Sequence, residues 1–329
     1  MKSSPKIYLA PFQGITGAVY HEIFARHFTG IDKFFTPFFT GVSRQKALKA
    51  NITELVNTNS NAIPVVPQIL SKDDREIIEF ATHCTKKGFR GINWNLGCPF
   101  PRVASKQRGS GLLAHPRLVE QILGNVMPAI SLKFSVKCRL GYHHPEEILK
   151  LVPVFNHYNI SELIIHARTG KQLYKGDALT DDFERALNIS TIPVVYNGDI
   201  FSVHDFLNAS HRYPKINTWM IGRGILVDPL LPAHIKGIPI CSEKKLPVRK
   251  FIDDLYFAYR KKMNDRLQAI SIMKELWEYM AFSFENPHQV FKLVKRTKSF
   301  DDYEDAVSKI FHDFEWLGSE SRQFSSGSI

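Results

Sequence analysis

Cysteine is scarce in this sequence. Four residues (Cys84, Cys98, Cys138, Cys241) are scattered through 329, with no Cys-x-x-Cys pair, which argues against a disulfide framework and against a zinc-thiolate site. No apolar run is long enough to cross a bilayer, and the opening Met1-Lys-Ser-Ser-Pro-Lys-Ile-Tyr-Leu-Ala-Pro11 reaches a proline before any hydrophobic stretch a signal peptide would need. A reducing cytoplasm is the expected location, with no membrane attachment. Also missing are a Gly-x-Gly-x-x-Gly after the first strand and a Walker lysine loop, which weakens a doubly wound nucleotide-binding reading. Tyr142-His-His-Pro145 lacks the spacing that puts two ligands on one face, so no metal is expected.

What is present is a 44% hydrophobic chain able to bury a large core, and a charge excess: 43 Lys and Arg against 32 Asp and Glu, a net +11. Such a balance suits a polyanionic partner, nucleic acid or an anionic surface. Short apolar runs recur at Ile7 to Phe12, Phe34 to Phe39, Ile63 to Leu70, Gly91 to Gly97, Leu132 to Arg139, Glu162 to Arg168, Ile192 to Gly198 and Thr218 to Gly224. Between them Asp73 to Lys87, Pro116 to Leu123 and Glu146 to Phe155 carry helical periodicity. Most starts lie about 26 to 30 residues apart, the length of a strand and its crossover helix, so the pattern predicts an α/β fold of the (β/α)8 TIM-barrel type. A doubly wound sheet is the alternative. From about Leu246 the strand rhythm stops and a small helical domain is expected. The division is 1–243 for the barrel, 244–318 for the helices and 319–329 for a disordered tail.

Barrels of this kind place chemistry where strands end. The predicted ends are polar and varied: Ala10-Pro11-Phe12, Gln68, Cys98, Lys137 with Arg139, His166 with Arg168, Asn197-Gly198-Asp199, and Gly222-Arg223-Gly224. Cys98 stands where Gly97 and Pro99 stop a buried strand, which brings a thiol to the mouth of the fold. The glycines of the last two ends, with Arg223, suit a phosphate. Trp94 and Trp219 read as packing residues. Ser105-Lys-Gln-Arg-Gly-Ser-Gly111 reads as a mobile basic loop that could close over a ligand.

Taken in order, Ala10-Pro-Phe-Gln-Gly-Ile-Thr16, Pro67-Gln68, Asn95-Leu-Gly-Cys-Pro99 with Val103, Val136-Lys-Cys-Arg-Leu-Gly141, His166-Ala-Arg-Thr169, Asn197-Gly-Asp199 and Met220-Ile-Gly-Arg-Gly224 make the chain strongly resemble the tRNA-dihydrouridine synthases. That resemblance implies an FMN-binding barrel with a small helical domain, reduced by NADPH or NADH and acting on tRNA. It would put Ala10, Pro11, Phe12, Gln68, Lys137 and His166 at the flavin ring, and Asn197, Gly198, Asp199, Gly222 and Arg223 on its ribityl and phosphate. Cys98 would be the catalytic acid, and Asn95, Arg139, Arg168 and Tyr174 would meet the substrate nucleotide. The first motif departs from many relatives at Phe12, Gln13 and Gly17. The short C-terminal domain resembles the branch that acts at D-loop position sixteen.

The basic helices add to this. Val248 to Arg266 carries Arg249, Lys250, Arg260, Lys261, Lys262 and Arg266, and Lys292 to Lys298 adds Lys295 and Arg296, a face suited to RNA phosphates. The competing function is an FMN-dependent small-molecule reductase of the dihydroorotate dehydrogenase or ene-reductase type, which would need no basic helices. An RNA-binding protein without chemistry would need neither Cys98 nor Lys137. A monomer is expected.

Overall fold

The computed structural model describes residues 4–41 and 63–320. Eight parallel strands close a barrel in sequence order: β1 Lys6–Leu9, β2 Lys33–Phe39, β3 Val65–Ile69, β4 Gly91–Leu96, β5 Lys133–Gly141, β6 Ile160–Thr169, β7 Val194–Asn197 and β8 Thr218–Ile221. The described residues form two compact units, one drawn from 1–11, 32–198 and 213–220, the other from 12–31, 199–212 and 221–329. The first holds the barrel strands up to Met220. The second holds α1 (Ala18–His27) and the helices that follow β7 and β8 in the chain.

Each predicted strand is present, with shifted ends. β5 and β6 run on to Gly141 and Thr169, because both lie against buried neighbours and keep pairing, Arg139 opposite His166 and Gly141 opposite Thr169. The eighth strand stops at Ile221 rather than Gly224, because Gly222 caps a short helix, Arg223–Val227. Gly224 is required there for packing: a Cβ would lie 2.2 Å from the Ile200 carbonyl oxygen. β2 tolerates Pro37 through a register shift between Phe35 and Phe38.

The crossover helices obey their sequences. In α2 (Asp74–Lys86) the Asp73 carboxylate accepts from the Arg75 and Glu76 amides, capping a helix whose Ile77, Phe80, Ala81 and Cys84 are buried. α3 is the single turn Pro101–Ala104 after the cysteine. α4 (Pro116–Val126) starts on a proline and buries Val119, Ile122, Leu123 and Val126. α5 (Ile148–Asn156) and α6 (Thr180–Ile189) complete this layer. Trp94 and Trp219 are fully buried packing residues, and the Trp94 indole donates to the Ser71 carbonyl at 2.8 Å. Where the strands begin, Glu162 takes hydrogen bonds from Lys33 Nζ at 2.6 Å and Tyr8 Oη at 3.1 Å.

In the second unit α7 spans Val203–Arg212, α8 Arg223–Val227 and α9 Leu231–Ile235. Then come α10 (Lys245–Lys262), α11 (Gln268–Met280), α12 (Pro287–Lys295) and α13 (Phe300–Asp313). Trp277, Tyr256 and Tyr303 form their aromatic core, with the Trp277 indole donating to Tyr303 Oη at 3.1 Å. Ser299 and Asp302 make a capping box at the start of α13. Of the expected tail, 319 and 320 belong to a 3-10 turn, Gly318–Glu320, with the Ser319 amide on Asp228, and 321–329 lie outside the described residues. No helix among the described residues is long and apolar enough to cross a membrane.

Candidate active site at the strand ends

The polar interior begins at neighbouring positions of β3, β4 and β5. Gln68 pairs in register with Asn93, and Asn95 with Lys137. Gln68 and Asn93 are fully buried and Asn95 nearly so. Asn95 Oδ1 accepts the amides of Gly97 at 2.9 Å and Cys98 at 3.0 Å, so it shapes the turn that presents the thiol. Cys98 keeps 7% of its surface exposed. Burial pushes its thiol pKa up, against opposing pulls from the Phe100 backbone amide and from Arg139, Arg102 and Lys137. The result is a thiol held in its protonated form, the state a proton donor needs.

The far side of that turn is fixed as well. The Cys98 carbonyl accepts from the Ser110 amide at 3.0 Å and from Ser110 Oγ at 3.1 Å. Gly109, at φ +55°, and Gly111 sit so close that an added Cβ would lie 2.6 Å from the Cys98 oxygen and 2.1 Å from that of Ala104. The segment expected to be a mobile loop therefore ends as a buried 3-10 turn, Gly109–Leu112, strapped to the cysteine. Its missed signal is the spacing of the two glycines around a serine.

Lys137 is half-buried by area, and burial first, then the nearby Arg139 charge, lowers its amine to about 8. It has no ion pair among the described residues. Arg139 is buried and committed to the protein: Nε donates to the Gly97 carbonyl at 3.0 Å, and Nη1 to the carbonyls of Thr169 at 2.7 Å and Leu173. Its guanidinium lies 5.2 Å from the Tyr174 ring. Arg139 thus braces the turn before Cys98 against the loop after β6. Arg168 Nη1 lies 3.3 Å from His166 Nε2, and Nη2 donates to the Gly176 carbonyl. A guanidinium only donates, so in this contact His166 Nε2 is the acceptor. Tyr174 remains partly exposed, its ring 6.1 Å from that of His166.

Asn197, at the end of β7, donates to the Met220 carbonyl at 2.8 Å. In the second unit Arg223 Nη2 binds Asp199 Oδ1 at 3.0 Å and its guanidinium lies 5.2 Å from the Phe201 ring. Phe12 has its amide on Thr16 Oγ1 at 2.7 Å and its carbonyl occupied by the Ile15 and Thr16 amides. Lys295 and Arg296, at the end of α12, are exposed. Among the described residues no group of three or more His, Cys, Asp or Glu side chains is placed to hold a metal.

Residues 8–314 match the family model described as dihydrouridine synthase (Dus). The chain belongs to the dihydrouridine synthase family. It is 28% identical over 327 residues to a tRNA-dihydrouridine(16) synthase of Neisseria meningitidis serogroup A, covering 95% of this chain and 96% of that one. It is 30% identical over 272 residues to tRNA-dihydrouridine synthase B of Pasteurella multocida, covering 77% and 78%. Among solved structures morphinone reductase superposes with a TM-score of 0.52 at 9% identity, over 72% of this chain and 87% of the other, a likeness of fold. Membership in the dihydrouridine synthase family implies a flavin, and the donor set suits one. An amine without an acidic partner among the described residues and a bank of side-chain amides on adjacent strands match a ring whose edge presents acceptor nitrogens and carbonyls and which gains negative charge on reduction.

Proposed function

We propose that this dihydrouridine synthase uses FMN, reduced by NADPH or NADH, to saturate the C5=C6 bond of a D-loop uridine in tRNA, with Cys98 as general acid. The observation that carries the reading is Cys98 itself: a buried, protonated thiol fixed through both its amide and its carbonyl. As a family member the chain is a flavin-dependent oxidoreductase that modifies tRNA. Position sixteen is the favoured target, supported by the length over which the Neisseria relative aligns. The cytoplasm, where tRNA is modified, is the proposed location, and a monomer the proposed state.

Ala10, Pro11, Phe12, Gln68, Lys137 and His166 would hold the flavin ring, and Asn197, Gly198, Asp199, Gly222 and Arg223 its ribityl and phosphate. A bound, reduced flavin would supply a hydride to C6 of the uracil. The Cys98 thiol would hold the proton for C5, where, with the neighbouring carbonyl, negative charge would develop. Asn95, Arg168 and Tyr174 position the base, while Arg139, saturated on one side by protein carbonyls, keeps the turn in place. Drawing the uracil out of the stacked tRNA costs a few kcal/mol, about what phosphate contacts elsewhere must offset. The helices of 244–318 are the proposed source of those contacts.

Anaerobic reduction followed by reoxidation with unmodified tRNA tests the whole reading. Flavin reoxidised by tRNA, with dihydrouridine in the RNA digest, supports it. Flavin that ignores tRNA and reacts with a small enone or pyrimidine would favour a small-molecule reductase.

Lys137 and Cys98 lose their protons in different ranges, so the half-reactions should separate by pH. Flavin reduction is expected to slow as pH rises through about 8, where the Lys137 cation is lost. Reoxidation by tRNA should stay level past about 8.5, where an ordinary thiol ionises. Stopped-flow traces of each half-reaction would show coincident profiles if Lys137 has no such part.

Reversing charge at Lys295 and Arg296 should weaken tRNA binding and reduce the slope of log K against log salt by about 1 to 2, as expected for two phosphate contacts. Titrations at several salt concentrations measure this, and an unaltered slope moves the RNA footprint elsewhere.

A further inference from the structure

Behind the cysteine turn a continuous chain of hydrogen bonds runs through the barrel. Ser135 Oγ donates to the Ile92 carbonyl at 3.2 Å, and Asn93 Nδ2 donates to that same Oγ at 2.9 Å. Gln68 Nε2 donates to Asn93 Oδ1 at 2.8 Å, and Asn95 Nδ2 donates to Gln68 Oε1 at 2.7 Å. Asn95 Oδ1 ends the chain on the amides of Gly97 and Cys98. The four side chains are buried, Asn95 the most exposed at 8%.

The direction of this chain is not arbitrary. At one end the Ser135 hydroxyl donates to the Ile92 carbonyl and accepts from Asn93. At the other end two backbone amides can only donate, so the oxygen of Asn95 must face them. From that end each amide sets the next, so the three have one arrangement in which every bond pairs a donor with an acceptor, and turning Gln68 or Asn95 sets like against like at both of its contacts. The same arrangement leaves each of Gln68 and Asn95 with one N–H outside the chain, so what they offer a ligand is a donor.

We propose that Asn93 is a positioning residue for Cys98: it anchors the Gln68 amide, and through Gln68 and Asn95 the turn that carries the thiol. The proposal takes Cys98 to be the reacting thiol, as proposed above. Asn93 needs no contact with flavin or RNA to do this. Its part is the acceptor it gives Gln68 Nε2: without it a buried N–H loses its partner, and the Gln68 side chain loses one of the two contacts that seat it against Asn95.

The test reads the thiol directly. In a Cys241→Ser background, with Cys84 and Cys138 fully buried, iodoacetamide reports on Cys98 in protein that needs neither flavin nor tRNA. Asn93→Leu should raise the alkylation rate by about fivefold or more, the change expected when one neutral hydrogen bond stops holding the turn closed. Asn93→Asp, which keeps an acceptor for Gln68 and can take the Ser135 proton, should return most of the difference. Equal rates in wild type and Asn93→Leu overturn the proposal, and so does Asn93→Asp behaving like Asn93→Leu. Should Asn93→Leu not fold, Ser135→Ala carries the test: it removes the acceptor of the Asn93 N–H, and alkylation about twofold faster supports the chain while an unchanged rate overturns it. A protein that passes this test but does not reduce tRNA would refute the functional reading alone.

Discussion

Cys98→Ala is expected to keep its flavin and to be reduced by NADPH at the wild-type rate, while reoxidation by tRNA falls by about 10²- to 10⁴-fold, the usual worth of a positioned proton donor. The separation follows from where the side chain stands. The thiol is the last group of a turn whose amide and carbonyl are both tied to the protein, so deleting Sγ removes a proton without removing a support. Single-turnover reoxidation of pre-reduced enzyme measures the loss. Full retained turnover would take the acid role away from Cys98.

Arg139→Leu should be as damaging by another route. The guanidinium satisfies the carbonyls of Gly97, Thr169 and Leu173 from within a site 1% exposed, and leucine leaves all three facing an apolar side chain. Unmet buried acceptors at about 1 to 3 kcal/mol each, partly relieved by water, give a loss of roughly 3 to 5 kcal/mol. For a chain of this size that is a fall in Tm of about 4 to 7 °C. Arg139→Lys should recover little, because one ammonium cannot reproduce a planar fork that reaches carbonyls on two loops. Thermal unfolding of the two variants side by side decides this, and a lysine variant as stable as wild type would reduce Arg139 to a simple charge.

The barrel was legible because its strands are apolar runs at a steady interval, and because the residues that end them are polar enough to stand out. Cys98, Gln68 and Lys137 were readable for that reason. Asn93 was not, although it alternates with Asn95 on one face of β4 and so shares its inward direction. A single asparagine in a strand carries no mark of its function until the residue hydrogen-bonded to it is known. Ser110 was hidden for a related reason: glycines on both sides of a serine read as looseness, whereas here they allow close approach to two carbonyls. The hydrogen bonds of Arg139 to the Gly97, Thr169 and Leu173 carbonyls were not readable either, since side-chain saturation is a property of the fold and not of spacing. Among the helices, the basic count overstated the free charge. Arg249 pairs with Asp253, Arg260 with Asp265 and Glu304, and Lys309 with Asp313.

Desolvation of the Cys98 thiol has a consequence outside the catalytic cycle. Flavins exposed to oxygen release peroxide, and peroxide attacks cysteine as the thiolate, carrying it to sulfenic acid and then irreversibly further. A thiol whose pKa is raised by burial offers little thiolate at neutral pH, and with 7% of its surface open it offers little access. The environment that suits Cys98 to the proposed acid role therefore also protects it from the oxidant a bound flavin can generate.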